Sequence, residues 1–307
     1  MILLTGATGL VGSALLKRLL AEGEQVRVLV RDPRRLGPNR VRVQITLGDL
    51  SNPVALRQAV RGTRAVVHLA ASIRDQPAGS IEELNGLATA RLLRHAEAAG
   101  AERFLFFGAI GATPTSRTRF FRSKALSERA VMDSALDTTV MSPSIVYAPG
   151  DPWLTLLRRM SWLPVMPMIG SGEASYQPIW AEDVAACAHR VLREGAPDGA
   201  RRLELAGPEV LTYEEIVELA LSAWDRDRPL VHLPPWVVRR SLRLLERLFG
   251  PSVFATWEEA ELMEVPMVSV AGTRDARRLG VEPKRMAEVL GLARGYLTQP
   301  VAAPAAA

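Results

Sequence analysis

The sequence predicts an α/β protein built on a doubly wound parallel sheet, with a smaller C-terminal subdomain beside it. Three observations carry this. Over the first two-thirds of the 307 residues, short apolar runs alternate with amphipathic stretches. The apolar runs are almost wholly hydrophobic, as strands covered on both faces are. The first of them, residues 1–4, runs straight into the turn Thr5-Gly6-Ala7-Thr8-Gly9-Leu10-Val11-Gly12, and an amphipathic stretch over 11–21 follows at once.

Taken in order, strands are predicted at 1–5, 25–30, 41–46, 65–69, 103–107 and 138–141. Helices are predicted at 11–21, 53–60, 81–99, 123–134 and 182–192. Gly23 and Gly100 stand where helix C-caps belong. From about residue 150 the pattern changes, and tryptophan, proline and methionine cluster over 151–168. This reads as a loop and short helix over the carboxyl edge of the sheet, where ligands bind in open α/β folds. A strand-like 202–206 follows, then a helix opened by Thr212 with Glu215 as its capping-box partner, and a break at Pro234-Pro235. Residues 1–150 are thus expected to form the doubly wound domain, with 175–200 returning to it. Residues 151–298 make up most of the smaller lobe, and the proline- and alanine-rich 299–307 is expected to be a disordered tail.

Hydrophobic content of 48% and charged content of 23% are ordinary for a soluble globular protein. The single cysteine, Cys187, excludes an internal disulfide framework and a cysteine-based zinc site, and its apolar neighbours make it a buried small residue. His95, His189 and His232 lack metal-ligand spacing, so no metal is expected. The N-terminus has no basic lead and its apolar run ends at Thr5, which argues against a signal peptide. No uncharged apolar stretch is long enough to span a bilayer. A cytoplasmic protein is expected. The net charge is +5, but of the 38 basic residues only Lys17, Lys124 and Lys284 are lysines. Aromatics are 6% and do not interleave with a basic stripe, so nucleic acid is not the expected partner.

A strand, a glycine turn and a helix in immediate succession form the context that a dinucleotide-binding fingerprint requires, and the fold is therefore expected to be Rossmann-type. Gly6 permits the tight turn, Gly9 lets the backbone approach a pyrophosphate, and Gly12 lets the helix pack close to the strand. Unpaired amides at the helix start then face the phosphates. Gly6, Thr8, Gly9, Leu10, Val11 and Gly12 are accordingly the first expected cofactor residues.

With these motifs the chain resembles the short-chain dehydrogenase/reductase family, in its extended or atypical, epimerase/dehydratase-like form. The resemblance covers most of the chain. It rests on the glycine turn, Gly48-Asp49-Leu50, His68-Leu69-Ala70-Ala71, Arg122-Ser123-Lys124, Pro143-Ser144-Ile145-Val146-Tyr147 and Glu182-Asp183-Val184-Ala185. It implies that Asp49 and Leu50 flank the adenine, that Ala70 and Ala71 line the cofactor cleft, and that Pro143 and Ile145 join the cofactor set. Asp183 would fix the start of a helix. Within the family the chain is most similar to the branch containing the nucleotide-binding accessory subunit of respiratory complex I. The features shared with that branch are the segments at 29–33, 121–128 and 143–151 and the helix after Pro234-Pro235.

Cofactor choice turns on the end of the second strand. An acidic residue there binds the adenosine ribose and repels a 2′-phosphate. Here the strand ends Val30-Arg31-Asp32-Pro33-Arg34-Arg35. Arg31, joined by Arg34 or Arg35, can hold a phosphate in a bidentate way, which favours NADP(H) over NAD(H). Asp32 is the competing ribose ligand.

The resemblance also implies a catalytic tyrosine, a lysine four residues later and a serine on the preceding strand end. Lys124 is present, but Phe120 stands at the tyrosine position and Gly108 at the aligned serine. Neither replacement can donate a side-chain proton. Lys124 is then expected to hold the nicotinamide ribose, with a role as proton donor as the alternative. Tyr147 is a second catalytic candidate. Tyr147, Tyr176, Asp151 and His68 all read more simply as structural hydrogen-bonding groups, and Ser123 and Ser127 as helix-surface residues. Over 236–249, Arg239, Arg243 and Arg247 form a cationic stripe beside Val238, Leu242, Leu245 and Phe249. That pattern suits a helix covering its own domain, a protein partner or a membrane surface. Two functions follow. One is an NADP(H)-holding accessory, assembly or redox-responsive protein. The other is a non-classical NADPH-dependent oxidoreductase or isomerase, acting on an apolar molecule or quinone near Trp153, Trp162 and Met166.

Overall fold

The structure, a computed structural model, describes residues 1–249 and 256–292. The tail at 299–307 and the side chains of Leu245, Arg247 and Phe249 lie outside what it describes. The strands are β1 (Ile2–Thr5), β2 (Val26–Val30), β3 (Gln44–Leu47), β4 (Ala65–His68), β5 (Arg103–Phe107), β6 (Asp137–Pro143), β7 (Val146–Tyr147), β8 (Met166–Ile169), β9 (Ser175–Tyr176), β10 (Ile179–Trp180), β11 (Arg202–Leu205), β12 (Leu211–Thr212) and β13 (Leu230–Leu233). The helices are α1 (Leu10–Ala21), α2 (Pro53–Val60), α3 (Ala88–Ala98), α4 (Arg119–Met132), α5 (Pro152–Met160), α6 (Ala181–Glu194), α7 (Tyr213–Ala223), α8 (Pro235–Phe249), α9 (Trp257–Leu262), α10 (Arg274–Arg278) and α11 (Met286–Val289).

Seven strands form one parallel sheet in the order β3-β2-β1-β4-β5-β6-β11. Successive side chains of a strand point to opposite faces. Ile2 and Leu4 therefore enter one core with Leu105, Phe107 and Met141, covered by α1 and α6. Leu3, Val66, Phe104 and Phe106 enter the other, covered by α2, α3 and α4. This is the doubly wound arrangement expected from the unbroken apolar runs. The smaller lobe has its own core, in which Tyr147, Leu154, Leu157, Met166 and Tyr176 pack against Ile216 and Val217 of α7. Thr212 and Glu215 form the reciprocal capping box at the start of α7.

Element boundaries depart from expectation where capping chemistry intervenes. The Asp32 carboxylate accepts from the Arg34 amide and opens a 3-10 stretch over Pro33–Arg42, so β3 begins only at Gln44. The Thr118 hydroxyl accepts from the Phe121 amide and starts α4 four residues before the expected 123. Ser123 and Ser127 are consequently buried rather than on the surface, donating to Phe120 O and Ser123 O one turn back. A wider, π-type turn over Glu83–Leu87 precedes α3. The chain returns to the sheet through Leu205, past the expected residue 200, because β11 supplies the seventh strand.

A buried histidine ties the sheet to the helix layer. His68 Nδ1 lies 2.7 Å from Thr5 Oγ1 and Nε2 lies 3.0 Å from Thr89 Oγ1. The Thr89 hydroxyl donates to Asn85 O, so Nε2–H donates to Thr89 and Nδ1 accepts from Thr5. Burial, with Lys124 nearby, pushes the imidazole pKa down from 6.5 to about 3. The folded state thus binds fewer protons than the unfolded chain between these values. Stability should fall as pH drops from 6.5 towards 3, and His68→Leu should flatten that part of a pH series of chemical denaturation curves.

Candidate dinucleotide site

The glycine turn is clasped by backbone on two sides. Gly6 has φ +74°, a conformation that a side chain disfavours, and a Cβ there would lie 2.6 Å from Ala70 N. A Cβ on Gly12 would lie 2.1 Å from the Gly6 carbonyl oxygen. Gly9 differs. Its backbone is extended, φ −82° and ψ 176°, and the nearest obstacle to a Cβ is the Gly6 oxygen at 3.3 Å. Gly9 is the N-cap of α1, with no side-chain cap and no acidic residue in the first turn. The helix end therefore offers amides and positive dipole without internal competition, which suits a pyrophosphate.

A cleft of about 540 Å³ opens over this turn. Gly6, Thr8, Gly9, Arg31, Asp49, Leu50, Ala70 and Ala71, all expected cofactor residues, line it. Leu10, Val11 and Gly12 contribute the helix start behind the turn. Arg35 lines the cleft and Arg34 does not. Arg31 Nη1 donates to Gln76 Oε1 at 3.0 Å, and Gln76 Nε2 donates to Ser72 Oγ, so the guanidinium is held across the cleft mouth. Asp32 has one carboxylate oxygen committed to the Arg34 amide. The Ser51 hydroxyl and amide, with Arg31 nearby, hold the Asp49 carboxyl below the usual carboxylate range. These features fit an adenine dinucleotide, with the amides at the start of α1 available to its phosphates.

The far wall was not read from the sequence. Ser72, Gln76, Glu83, Leu84, Ala88 and Arg91 form it. It is shaped by buried Asn85, which accepts from the Ser72 amide and donates to Ser72 O and Ile81 O. Nothing in the mixed polar and apolar pattern of 81–93 singles Asn85 out.

Residues expected at the nicotinamide end do not line the cleft. Lys124 is buried, and Nζ donates to Phe107 O at 2.7 Å. Its ammonium sits 5.0 Å from the Phe106 ring centroid and 5.8 Å from that of Phe120, and burial pushes its pKa down to about 8. Pro143 ends β6, and Ile145 packs on the smaller lobe's core. Gly108, aligned with the serine, faces Ser142 Oγ and Glu128 Oε2, while Ala109 packs with Phe121 and Leu262. Here the segment 262–269 closes the carboxyl end of the sheet. Ser144 Oγ donates to Met267 O and Tyr176 OH to Met263 O, both at 2.6 Å, and the Ser269 amide donates to Gln177 Oε1. The cavity left beside Phe120 and Leu262 is about 10 Å³.

The remaining candidates have structural places. Tyr147 is fully buried in the smaller lobe, its hydroxyl pKa raised by desolvation. That hydroxyl has no hydrogen-bond partner among the described residues, so Tyr147 is a packing residue and not the hydrogen-bonding group expected. Asp151 caps α5 through the Leu154 amide. Asp183 does not cap α6 as expected, since no side chain caps that helix at Trp180; its carboxylate instead accepts from the Lys284 amide. Trp153, Trp162 and Met166 do not converge on a pocket. Met166 points into the core, Trp153 stacks on Tyr213, and Trp162 is exposed beneath Arg226.

The sheet order and the cleft at its glycine turn define a Rossmann-type NAD(P)-binding protein. Residues 6–157 match the model of the NAD(P)H-binding family and form a domain of that kind. The chain is 28% identical over 239 residues to the mitochondrial NADH dehydrogenase [ubiquinone] 1 alpha subcomplex subunit 9 of Arabidopsis thaliana, spanning 72% of this chain and 58% of that subunit. It is 28% identical to the ceramide reductase of Caulobacter vibrioides, spanning 85% of this chain and 83% of the reductase. An NADPH complex of an Escherichia coli NADPH-dependent quinone oxidoreductase shares the fold, with a TM-score of 0.73, 18% identity, and coverage of 94% of this chain and 98% of that one.

Two glycine substitutions separate binding from folding. Gly9→Val should keep a native denaturation profile while nicotinamide nucleotide affinity collapses in fluorescence titration. Gly12→Val should lose stability as well, because its Cβ meets the Gly6 carbonyl. Retained nucleotide affinity in Gly9→Val would place the site elsewhere.

Proposed function

We propose that this chain holds NADP(H) as an accessory, assembly or redox-responsive protein and does not carry out classical carbonyl reduction. One observation carries the reading. The cleft is open at the glycine turn, while at the carboxyl ends of β5 and β6 the nearby hydroxyls of Ser144 and Tyr176 already donate to backbone carbonyls of 263–267. Phe120 and Gly108, at the aligned tyrosine and serine positions, supply no proton there. Arg31 and Arg35 would hold a 2′-phosphate, Asp49 and Leu50 would flank the adenine, and the start of α1 would hold the pyrophosphate. Bound cofactor would supply a hydride. A cytoplasmic location is part of this proposal. Among the described residues no helix is long and apolar enough to cross a membrane. The likeness to a complex I subunit supports the accessory role.

A second reading has an observation of its own. A buried lysine with a pKa near 8 can give up a proton at neutral pH, and the Phe106 and Phe120 rings flank it. Together with the ceramide reductase likeness, this supports a non-classical reductase acting on an apolar molecule.

Titration with NADPH and NADH tests the first reading. A charge-assisted hydrogen bond contributes about 1.5–3 kcal/mol, so NADPH should bind roughly ten- to a hundredfold more tightly. Arg31→Ala should erase most of that preference, and equal affinities in the unmodified protein would remove the NADP(H) assignment. NADPH should not be consumed with simple ketones, quinones or enones. Turnover abolished by Lys124→Met, with affinity intact, would establish the second reading instead.

Lys124 also marks stability. With its folded pKa near 8 and its unfolded value near 10.5, the folded state binds fewer protons between them. Stability should rise with pH across that window, and the cost of the buried ammonium is fully present below it. That cost is on the order of 3 kcal/mol, partly offset by the bond to Phe107 O. Lys124→Met should therefore flatten denaturation midpoints between pH 8 and 10.5 and raise them at pH 7.

A further inference from the structure

The smaller lobe carries a surface of one charge sign that neither reading above uses. Two segments far apart in sequence, 152–172 and 228–245, contain no aspartate or glutamate. Parallel pairing of β8 with β13, Met166 opposite Leu230 and Ile169 opposite Leu233, joins the two segments through their strands, with α5 leading into one end of the pair and α8 leaving from the other. The first segment exposes Trp162, 71% accessible, with Leu163 and Val165, and carries exposed Arg158 and Arg159 at the end of α5. The second exposes Val231, Trp236 at 64%, and Leu244, and carries exposed Arg239, Arg240 and Arg243. On α8, Trp236, Arg240 and Leu244 follow one another at four-residue intervals and so share a stripe. Leu242 is buried on the opposite side, which fixes that stripe outward. The Arg226 guanidinium stacks 3.7 Å from the Trp162 ring centroid.

We propose that this surface docks on an anionic lipid bilayer. Exposed tryptophans with arginines between them match the interfacial zone, where indoles sit at headgroup depth and long basic side chains reach lipid phosphates. Exposed apolar side chains beside several arginines suit a headgroup layer that offers both acyl chains and phosphates. Among the described residues the acidic groups beside it are Asp225 and Asp227 before β13, Glu214 against His232, Glu173 after the first segment and Glu264 against Gly170.

The test is sedimentation of the full chain with vesicles of phosphatidylcholine alone and of an equimolar mixture with phosphatidylglycerol. The chain should sediment only with the mixture, show a blue shift in tryptophan emission, and be released by high salt. Each basic residue near such a surface is worth about fivefold in partitioning, so Arg240→Glu with Arg243→Glu should lower it by roughly thirtyfold or more. Trp236→Ser should weaken binding and reduce the blue shift. Arg57→Glu with Arg61→Glu on and beside α2 makes the same change in net charge away from the surface and should leave binding intact. Equal binding to both vesicle types overturns the proposal. So does binding kept in the Arg240 and Arg243 variant, or lost equally in the α2 control. A dimer dissolved by the Arg240 and Arg243 changes, without vesicle binding, would assign the surface to a second copy. Nucleotide titration of the same variants reads the cleft separately.

Discussion

The closeness of Gly12 to the Gly6 carbonyl sets much of this architecture. Without a Cβ, α1 settles directly on the end of β1, and Val11, Ala14 and Leu15 enter the core between the sheet and α6. Gly6 is pressed from the other side by the Ala70 amide, at the start of the loop that follows β4. The turn is therefore held between a helix and a neighbouring strand end before any ligand arrives. Gly9 is the glycine left without a packing duty, and it faces the cleft. Preorganisation of the phosphate end is a by-product of packing, so binding there need not meet the cost of ordering a loop.

What could be read from the sequence follows from which physical signal governs each part. Strands covered on both faces are continuous apolar runs, and they were legible because β1, β4 and β5 have no solvent face to encode. The glycine turn was legible because its residues answer to backbone sterics. The far wall of the cleft was not, since it depends on how Asn85 folds the loop after β4 onto α3, a set of hydrogen bonds with no period. Arg34 and Arg35 differ only in direction along a 3-10 stretch, which composition does not report. Ser123 and Ser127 looked like surface residues because hydroxyls are usually exposed. Buried, they satisfy themselves on carbonyls within their own helix.

At the other end of the site, a phenyl ring at position 120 changes what surrounds Lys124. The ammonium has one backbone acceptor and the faces of Phe106 and Phe120 for company. Cation–π attraction recovers part of the solvation lost on burial, more so in a dry site. It does not recover all of it, which is why the lysine titrates low. A group placed this way is held in position by packing whether or not a nicotinamide ribose is present.

The same closure links the cleft to the smaller lobe. A ligand group entering between Ala109 and Phe121 meets Leu262, the residue before Met263, whose carbonyl accepts from Tyr176. Proximity alone does not couple two sites. The relevant feature here is that Leu262 ends α9, whose first residue, Trp257, lies under the Arg239 guanidinium at 5.4 Å. That contact joins the closure to α8 through packing, and coupling between them would require α9 to have two arrangements that both ends bias.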